Sequence, residues 1–474
     1  MPSRSATETT VNPNIIEMEY AVRGPIPARA AEMKRQGRRV ILCNIGNPQA
    51  LGQKPLTYLR QVLSLVEDPG RLERERQLQA LAAPGVPALA AELLDQAQTI
   101  VDKMESGMGA YTESRGPAFI REAIARFIDR RDGVVPGQGV PADPDHIFLT
   151  NGASEGVKYI LEMLIAGPKD GIMVPIPQYP LYSAAIKKLG GNQVNYYPDE
   201  EADWNLEPAM LEEALVRAQG AGVQVKAIVV INPGNPTGAI LSERSQREVI
   251  EFAAKNGLAI IADEVYQENV YDGSFTSFAR LVGDDPIPLF SLHSISKGFF
   301  GECGHRGGYL EVRNAPRIAN SKHTFIDLLV KQASVSLCSN TVGQVLTYLM
   351  VTPPREGSAV HLQMQAERKQ ILEELYEKAL TIKRAFTKME GMRCYGRIGA
   401  LYLFPKMEQL PAGTSDFDYC MNLLEETGIC TVNGQGFGQK SGTHHLRIAF
   451  LPPQNLLNEV LPEWIAFHNR YVNP

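Results

Sequence analysis

Hydrophobic and polar residues follow helical spacing in the first third of this chain. Apolar positions recur every three or four residues from about 57 to 105, and again from 118 to 133. This spacing predicts two helices in the first stretch, separated by the breaker APGVP, and one helix in the second. Their sequences are LTYLRQVLSLVED, ALAAELLDQAQTIVDKM and AFIREAIARFIDRRDG.

A different pattern begins near residue 146 and continues to about 294. Short apolar runs alternate with amphipathic helical segments, and the runs include HIFLT, GIMVPIP, KAIVVI, LAIIAD and PLFSLH. Strands without a polar face are typical of a mainly parallel sheet covered by helices on both sides. The sequence therefore predicts an α/β fold in which ligands bind where the strands end and their loops begin.

The pattern changes again after about 350. The breaker PPREGS precedes a long charged helix and three short strands, GALYLFP, GICTVNG and HLRIAFL, which together predict a smaller α+β domain. We expect residues 1–56 to form an N-terminal arm and the first part of this small domain. Residues 57–349 would form the large domain, with a helical insertion at 57–108, and 350–474 would complete the small domain.

Composition narrows the class of protein. A chain of 474 residues with a formal net charge of -6 lacks the basic surface that nucleic acids bind, so we expect no nucleic-acid partner. The six cysteines show neither a CxxC pair nor zinc-ligand spacing, which predicts free thiols, no metal and a reducing compartment. MPSRSATETTVNPN has no apolar signal core, and no apolar run is long enough to span a bilayer. We expect a cytoplasmic protein without a membrane partner.

Candidate chemistry lies in the loops that follow the predicted strands. HIFLT is followed by NGASEG, where Ala153 and Ser154 open a helix whose first amides attract phosphate. KAIVVI is followed by NPGNPTG, whose prolines and glycines hold Asn235 in a rigid loop. Each loop taken singly is equally well explained as a helix cap or a turn.

Two further loops carry ionisable groups. Asp263 ends the apolar strand LAIIAD, where a buried carboxylate needs an arginine, a metal or a protonated ligand nitrogen as its partner. Tyr266 follows three residues later. The strand PLFSLH leads into a loop that contains Ser294, Ser296, Lys297 and Arg306. Taken singly, the acid is explained by a structural salt bridge and the lysine by a solvated surface charge.

These groups are expected in one pocket, because the carboxyl ends of parallel strands meet at one edge of the sheet. Together they are what pyridoxal 5′-phosphate (PLP) requires. Lys297 would form the Schiff base, and Asp263 would pair with the pyridine nitrogen. Asn235 and Tyr266 would bind the ring oxygen. The phosphate would be held by Ser154, Ser294, Arg306 and the backbone amides of Ala153 and Ser154, and Ser296 would also contact the cofactor.

Several stretches make the chain resemble the fold-type I aminotransferases, which are PLP-dependent enzymes. The resemblance covers nearly the whole chain and rests on YAVRGPI, PIPQYPLYSA, INPGNPTG, ADEVYQENVY, HSISKGFFGECGHRGGY, LLEETGIC and GFGQ. Arg306 lies nine residues after Lys297, whereas this loop is usually one residue shorter in the broader family. We expect Arg306 to bind the cofactor phosphate nevertheless.

The resemblance implies further site residues. Tyr179 is expected to stack on the pyridine ring, and Arg447 to bind the substrate α-carboxylate through two parallel hydrogen bonds. Gly46 would lie over that carboxylate, where a side chain would block the close approach of the backbone. Tyr111 would reach the phosphate of the neighbouring subunit's cofactor, which implies a homodimer with shared active sites.

The resemblance implies ping-pong transamination from L-alanine to 2-oxoglutarate, with Lys297, Asp263 and Tyr266 as catalytic residues. A glutamate:glyoxylate aminotransferase would use the same groups, and a lyase of the aminocyclopropane-carboxylate synthase type shares the fold. A PLP-binding transcription regulator would need a basic DNA-binding domain, which the segment before residue 110 does not resemble. Arg115 is a candidate for the distal carboxylate of glutamate, on spacing alone.

Overall fold

The computed structural model describes residues 10–20, 24–81, 89–319 and 321–473. The predicted breaker APGVP lies outside the described residues, and so do the first nine residues of the predicted arm and residues 21–23 of YAVRGPI. The helices of the described residues are α1 (Pro13–Ile16), α2 (Pro25–Arg35), α3 (Thr57–Glu67), α4 (Pro69–Leu81), α5 (Ala91–Lys103), α6 (Ala118–Asp132), α7 (Ala153–Leu164), α8 (Leu181–Leu189), α9 (Pro208–Gly220), α10 (Glu243–Asn256), α11 (Phe278–Val282), α12 (Phe325–Ser334), α13 (Thr341–Val351), α14 (Ala359–Phe386), α15 (Asp416–Thr427) and α16 (Gln454–Val472).

The strands form one large sheet and three small ones. They are β1 (Ile41–Leu42), β2 (Ile147–Thr150), β3 (Asp170–Pro175), β4 (Asn192–Tyr196), β5 (Gln224–Ile231), β6 (Ala259–Asp263), β7 (Leu289–Ser294), β8 (Gly308–Arg313), β9 (Met392–Arg393), β10 (Tyr402–Leu403), β11 (Lys406–Met407), β12 (Ile429–Cys430), β13 (Val432–Asn433) and β14 (Leu446–Ala449).

The large sheet has seven strands in the order β2-β8-β7-β6-β5-β3-β4. The strands from β7 to β4 pair in parallel, whereas β8 runs antiparallel to both of its neighbours. The predicted α/β fold with a mainly parallel sheet is confirmed. The sequence reading did not identify β8, because its first residues continue a glycine-rich loop and its pattern resembles a turn.

The central strand β5 illustrates why the predicted strands have no polar face. Alternate residues of β5 belong to two different hydrophobic clusters, one shared with α7 and α8 and the other with α9 and α10. Helix α10 is capped at its N-terminus by Ser242, whose side chain accepts a hydrogen bond from the Ser245 amide. Its C-terminal cap is Gly257, which has a left-handed φ of 64°. These two ends return the chain to the sheet, so that β5 and β6 finish side by side.

The small sheets join a segment near residue 41 to strands from the last quarter of the chain. Strand β1 pairs in parallel with β12, and β14 lies between β10 and β13 in an antiparallel sheet. Residues 41–42 therefore pair with the region after 350. The assignment of residues 1–56 to the small domain, with the domain limits, stays a prediction.

The helical region before residue 110 contains one helix more than the spacing predicts. Helices α3 and α5 are amphipathic and bury their apolar residues against α6 and α13. Helix α4, of sequence PGRLERERQLQAL, has no apolar stripe and buries only Leu72. A helix with so little burial leaves no periodic signal, which explains why the sequence reading missed it. None of the described helices combines the length and apolar content needed to cross a bilayer.

Candidate active site

A cleft of about 970 Å³ opens at the carboxyl ends of β5, β6 and β7. Twelve of the thirteen site residues predicted from the sequence line this cleft. They are Gly46, Ala153, Ser154, Tyr179, Asn235, Asp263, Tyr266, Ser294, Ser296, Lys297, Arg306 and Arg447. Both the parallel strands and the small sheets contribute, because Gly46 follows β1 and Arg447 lies in β14.

Asp263 lies at the buried end of β6 and is only 5% exposed. Its Oδ2 accepts a hydrogen bond of 2.8 Å from the Tyr182 hydroxyl. Its Oδ1 is buried and has no hydrogen-bond partner among the described residues. Burial raises the pKa of this carboxyl to about 6, while the Tyr182 hydrogen bond, the Val265 backbone amide and the positive charge of Lys297 each lower it. One oxygen is therefore available to a ligand donor.

Lys297 follows β7 and projects into the middle of the cleft. Its Nζ donates a hydrogen bond of 2.8 Å to the Gly46 carbonyl oxygen. The same nitrogen lies 5.8 Å from the centre of the Tyr266 ring. A half-buried amine whose acceptor is a loop carbonyl can leave that carbonyl for a bound ligand, which a lysine in a salt bridge does less readily.

One end of the cleft is built to hold an anion. Arg306 donates hydrogen bonds through Nη2 to the Asn151 carbonyl at 2.9 Å and to the Ser154 hydroxyl at 3.1 Å, beside the N-terminus of α7. The Ser294 hydroxyl bonds to the Ser296 hydroxyl at 3.0 Å. A Cβ at Gly152 would lie 2.6 Å from Arg306 Nη2, so any side chain there would fill this end. A guanidinium, hydroxyls and a helix N-terminus together favour a phosphate.

Arg447 occupies the opposite end and is 2% exposed. Its Nη1 donates to Asn235 Oδ1 at 3.0 Å and its Nη2 donates to the Asn44 carbonyl at 2.6 Å. The guanidinium lies between the rings of Tyr402, at 4.3 Å, and Phe437, at 4.6 Å. Its Nε–H is buried and finds no acceptor in the part of the chain that the structure describes. These contacts hold the arginine rigidly and leave donor capacity for a carboxylate.

The wall between Lys297 and Arg447 consists of two phenols and a glycine. The Tyr266 hydroxyl accepts a hydrogen bond from Asn235 Nδ2 and donates one to the Tyr402 hydroxyl. Both donor–acceptor distances are 3.4 Å. A Cβ at Gly46 would lie 1.8 Å from the Tyr402 hydroxyl oxygen. Burial acts to raise the pKa of the Tyr402 phenol, but the nearby charges of Lys297 and Arg447 lower it below its ordinary value.

Three candidate residues from the sequence have particular surroundings. The Tyr179 hydroxyl lies 2.8 Å from that of Tyr20, which comes from the N-terminal segment. Tyr111 does not line the cleft and is 77% exposed. The third candidate, Arg115, pairs with Asp145 at 3.5 Å and donates to its carbonyl, away from the cleft. Within one chain, Arg115 is therefore not a ligand for the distal carboxylate.

The sequence reading missed several residues that line or support the cleft. Tyr182 bonds to Asp263, Tyr402 and Phe437 hold Arg447, and Asn44 and Cys303 lie beside Gly46 and Lys297. Tyr182 lies in the first turn of α8, and no local signal in PIPQYPLYSA marks it as a partner of Asp263. For Tyr402, no local signal exists, because an aromatic residue in GALYLFP reads as ordinary core.

The described residues fit PLP. The unpartnered Asp263 Oδ1 can accept a hydrogen bond from a protonated ring nitrogen, and the Lys297 amine can react with an aldehyde. The phosphate has the Arg306 end of the cleft, where only a glycine at 152 leaves room.

Comparisons with known proteins agree with this fit. The family model for aminotransferase class I and II matches residues 85–461. Glutamate–glyoxylate aminotransferase 1 of Arabidopsis thaliana is 40% identical over 482 residues, covering 98% of this chain and 96% of that protein. Alanine aminotransferase 2 of Panicum miliaceum is 40% identical over 488 residues, covering 98% and 97%. The structure of an alanine aminotransferase from Pyrococcus furiosus matches with a TM-score of 0.77 at 25% identity, over 97% of this chain and all of that one.

The chain belongs to the class I and II aminotransferases. Enzymes of this family use PLP to move an amino group between an amino acid and a 2-oxo acid. This protein is accordingly a PLP-dependent aminotransferase, as the resemblance implied.

Proposed function

We propose that this protein transfers the amino group of L-alanine to 2-oxoglutarate, giving pyruvate and L-glutamate. The observation that carries the proposal is the common cleft of three ionisable groups, the Lys297 amine, the Asp263 carboxyl and the Arg447 guanidinium. Relatives named as alanine aminotransferases, at 40% identity over nearly the whole chain, support the choice of alanine.

Lys297 is proposed to move the proton. PLP, when bound, supplies an aldehyde for the amino group and a ring that accepts the electron pair left when the Cα proton departs. Lys297 Nζ would take that proton from Cα and deliver it to the former aldehyde carbon of the cofactor, because one flexible amine reaches both positions. Asp263 would accept a hydrogen bond from the cofactor's ring nitrogen at its unpartnered Oδ1 and would keep that nitrogen protonated. The raised pKa of this carboxyl, about 6, still leaves it ionised at neutral pH.

Arg447 is proposed to bind the α-carboxylate that both substrates share. Its contacts with Asn235 and Asn44, and the rings on its two faces, orient the guanidinium before a substrate arrives. A planar fork held in this way recognises a carboxylate through two parallel hydrogen bonds, which a lysine cannot do. We expect Arg447→Lys to raise KM for alanine and glutamate alike.

The substrate side chain is proposed to point towards Gly46, Cys303 and Tyr402. These residues lie close together, since Cys303 Sγ is 3.9 Å from the Gly46 carbonyl and Tyr402 abuts the Gly46 Cα. Among the described residues that line the cleft, Arg306 and Arg447 are the only arginines, and both have proposed roles at other groups. This surrounding accommodates the methyl group of alanine, and the distal carboxylate of glutamate has no further arginine partner among the described residues that line the cleft.

A glutamate:glyoxylate aminotransferase is the second candidate. A relative of that name is 40% identical to this chain over the same length as the alanine enzymes. Glyoxylate has a hydrogen atom where pyruvate has a methyl group, and so it fits any pocket that is large enough for pyruvate.

The test is a set of half-reactions followed by the absorbance of the bound cofactor. The enzyme is mixed with one amino acid at a time, and alanine and glutamate are expected to convert it fast, phenylalanine and lysine barely. The aminated enzyme is then mixed with pyruvate, 2-oxoglutarate or glyoxylate. Faster reaction with aspartate than with alanine would contradict the alanine assignment. Glyoxylate reacting well ahead of pyruvate would favour the second candidate.

We also propose a homodimer in which Tyr111 completes the partner's phosphate site. Tyr111, Val335 and Leu337 are apolar or aromatic side chains with exposed fractions of 77%, 85% and 51%. The segments that carry them are joined by a hydrogen bond of 3.0 Å between Ser114 and Ser334. Such side chains are unfavourable in water, and a second copy of the chain would cover them.

The cytoplasm is the proposed compartment. All six cysteines are free thiols, as a reducing compartment requires. Fractionation of source cells with an antibody against the protein is the test. Recovery in the mitochondrial fraction would contradict the proposal, and several relatives are named as mitochondrial enzymes.

A further inference from the structure

Glu302 is a buried acid in the loop between Lys297 and Arg306. Its side chain is 1% exposed. Its Oε2 accepts from Arg60 Nη2 at 2.9 Å and lies 2.7 Å from His305 Nδ1. Arg60 belongs to α3, in the helical region before residue 110, and His305 immediately precedes Arg306. The side chains of Arg60 and His305, from two segments distant in sequence, therefore contact the same oxygen of the Glu302 carboxylate.

The backbone at Arg306 is in an unusual conformation. Its φ is 53°, in the left-handed region that residues other than glycine rarely adopt. The Arg306 carbonyl accepts from Asn340 Nδ2 at 2.9 Å, which holds the far side of the turn. The near side is held where His305 N donates to the Glu302 carbonyl at 3.2 Å. A left-handed arginine persists only when its surroundings hold it on both sides.

This conformation determines where the guanidinium goes. Arg306 donates to the carbonyls of Cys303 and Asn151 and to the Ser154 hydroxyl, at the phosphate end of the cleft. The turn at 302–306, closed by the hydrogen bond from the His305 amide to the Glu302 carbonyl, brings the arginine to this position. Neither Arg60, Glu302 nor His305 is among the described residues that line the cleft.

We propose that Glu302, clamped by Arg60 and His305, positions Arg306 for the phosphate of the cofactor. Helix α3 thereby contributes to PLP affinity without touching PLP. Glu302 and Arg60 are positioning residues and not catalytic ones. The inference rests on the proposed role of Arg306 as the phosphate arginine.

The experiment compares two ligands of the full-length apoenzyme, PLP and pyridoxal, which lacks the phosphate. Both are titrated by absorbance to obtain Kd for the wild type and for Glu302→Gln, Arg60→Gln and Arg306→Ala. Glu302→Gln and Arg60→Gln each remove a residue that orients Arg306 without touching PLP. Each variant should therefore bind PLP roughly 10-fold more weakly. Pyridoxal binding should change less than about two-fold, because it has no phosphate to place.

Two controls separate positioning from general damage. Glu311→Gln removes an equally buried acid, paired with Arg313 at 2.7 Å, and is expected to leave the PLP-to-pyridoxal ratio unchanged. Arg60→Lys can still pair with Glu302 and should recover part of the PLP affinity that Arg60→Gln loses. If Glu302→Gln does not fold, Arg60→Gln carries the test, since Arg60 is 38% exposed.

The outcomes are distinct. Equal losses of PLP and pyridoxal affinity in Glu302→Gln and Arg60→Gln, or no loss at all, would overturn the inference while the effect of Arg306→Ala on PLP stands. An Arg306→Ala variant with an unchanged ratio would overturn the phosphate role of Arg306 and this inference with it. A loss confined to PLP in all three variants supports it.

Discussion

The Tyr182 hydroxyl donates a 2.8 Å hydrogen bond to one oxygen of Asp263 and leaves the other without a partner among the described residues. The carboxyl is thus half satisfied by the protein and half open to the cleft. A buried acid in this state is costly to ionise until a cationic ligand group arrives. The ionised Asp263 carboxylate therefore destabilises the cofactor-free protein and strengthens the binding of the cofactor.

The first prediction concerns the stability of the apoenzyme. The pKa of Asp263 is about 6 in the folded protein and near its ordinary value of 3.8 in the unfolded chain. The folded state therefore holds an extra proton between these values, and the free energy of unfolding falls as pH rises from about 4 to about 6. Asp263→Asn removes this loss, so the apoenzyme should gain on the order of 1–3 kcal/mol at pH 7.5.

Urea denaturation at pH 7.5 and 4.5 measures the gain, which should be much smaller at the lower pH. The exposed Asp284→Asn variant is the matched control and should gain nothing comparable. An Asp263→Asn apoenzyme less stable than the wild type at pH 7.5 would mean that the ionised carboxylate stabilises the empty fold.

The second prediction concerns the same residue in catalysis. Asp263→Ala should slow the half-reaction with alanine by about 10²–10³-fold or more, because the ring nitrogen loses the fixed charge that keeps it protonated. Asp263→Glu should lose less. Stopped-flow absorbance of the PLP-loaded enzyme measures both rates, and a rate near that of the wild type for Asp263→Ala would make the residue a structural acid.

The third prediction is that Lys297 carries the cofactor. Borohydride treatment of the PLP-loaded enzyme, followed by peptide mapping, should find the pyridoxyl group on Lys297. Lys297→Ala should still bind PLP measurably but lose roughly 10⁴-fold or more in turnover, since the proton-transfer group is gone. A label on a different lysine would refute the assignment.

The fourth prediction tests the contact between Gly46 and Tyr402. Gly46→Ala places a methyl group 1.8 Å from the present position of the Tyr402 hydroxyl oxygen, so ring or loop has to move. Either shift disturbs the Lys297 acceptor or the face of Arg447, and kcat/KM for alanine should fall about 10²-fold. Tyr402→Phe combined with Gly46→Ala should recover part of the loss. If Gly46→Ala has the kinetics of the wild type, Tyr402 and the Gly46 loop can move apart without effect on catalysis.

The fifth prediction tests the shared site. Tyr111→Phe and Lys297→Ala protomers, each inactive or weak alone, are mixed and allowed to exchange subunits. Random exchange makes half of the dimers mixed, each with one intact site of two, so activity should approach about a quarter of the wild-type value. Activity that stays at the level of the separate variants would favour a site contained within one chain.

The strand ends could be located from the sequence because a parallel sheet imposes simple geometry. Buried parallel strands read as continuous apolar runs, and their carboxyl ends all meet at one edge. Asn235, Asp263 and Lys297 each follow such a run, and the structure brings them to one cleft. Strand β8 was not predicted, since nothing in a glycine-rich stretch indicates that it fills the place between β2 and β7.

Contacts between distant segments could not be predicted in the same way. Arg447 bonds to the Asn44 carbonyl 403 residues away, and Arg60 reaches Glu302 across 242 residues. Neither arginine has a local pattern that separates it from a surface charge. The resemblance to a family indicated Arg447, but nothing in the sequence indicated Arg60.

The sequence by itself determined the order of elements and the chemical groups at the strand ends, because hydrophobic periodicity and turn residues act over a few neighbours. Only the tertiary structure decided which oxygen of Asp263 is open, what faces Gly46 and which side chains hold Arg447 and Arg306. Those contacts depend on how the small sheets and the helices before residue 110 pack against the large sheet. This packing between distant elements depends on the whole chain, and the spacing of apolar residues over a few neighbours does not predict it.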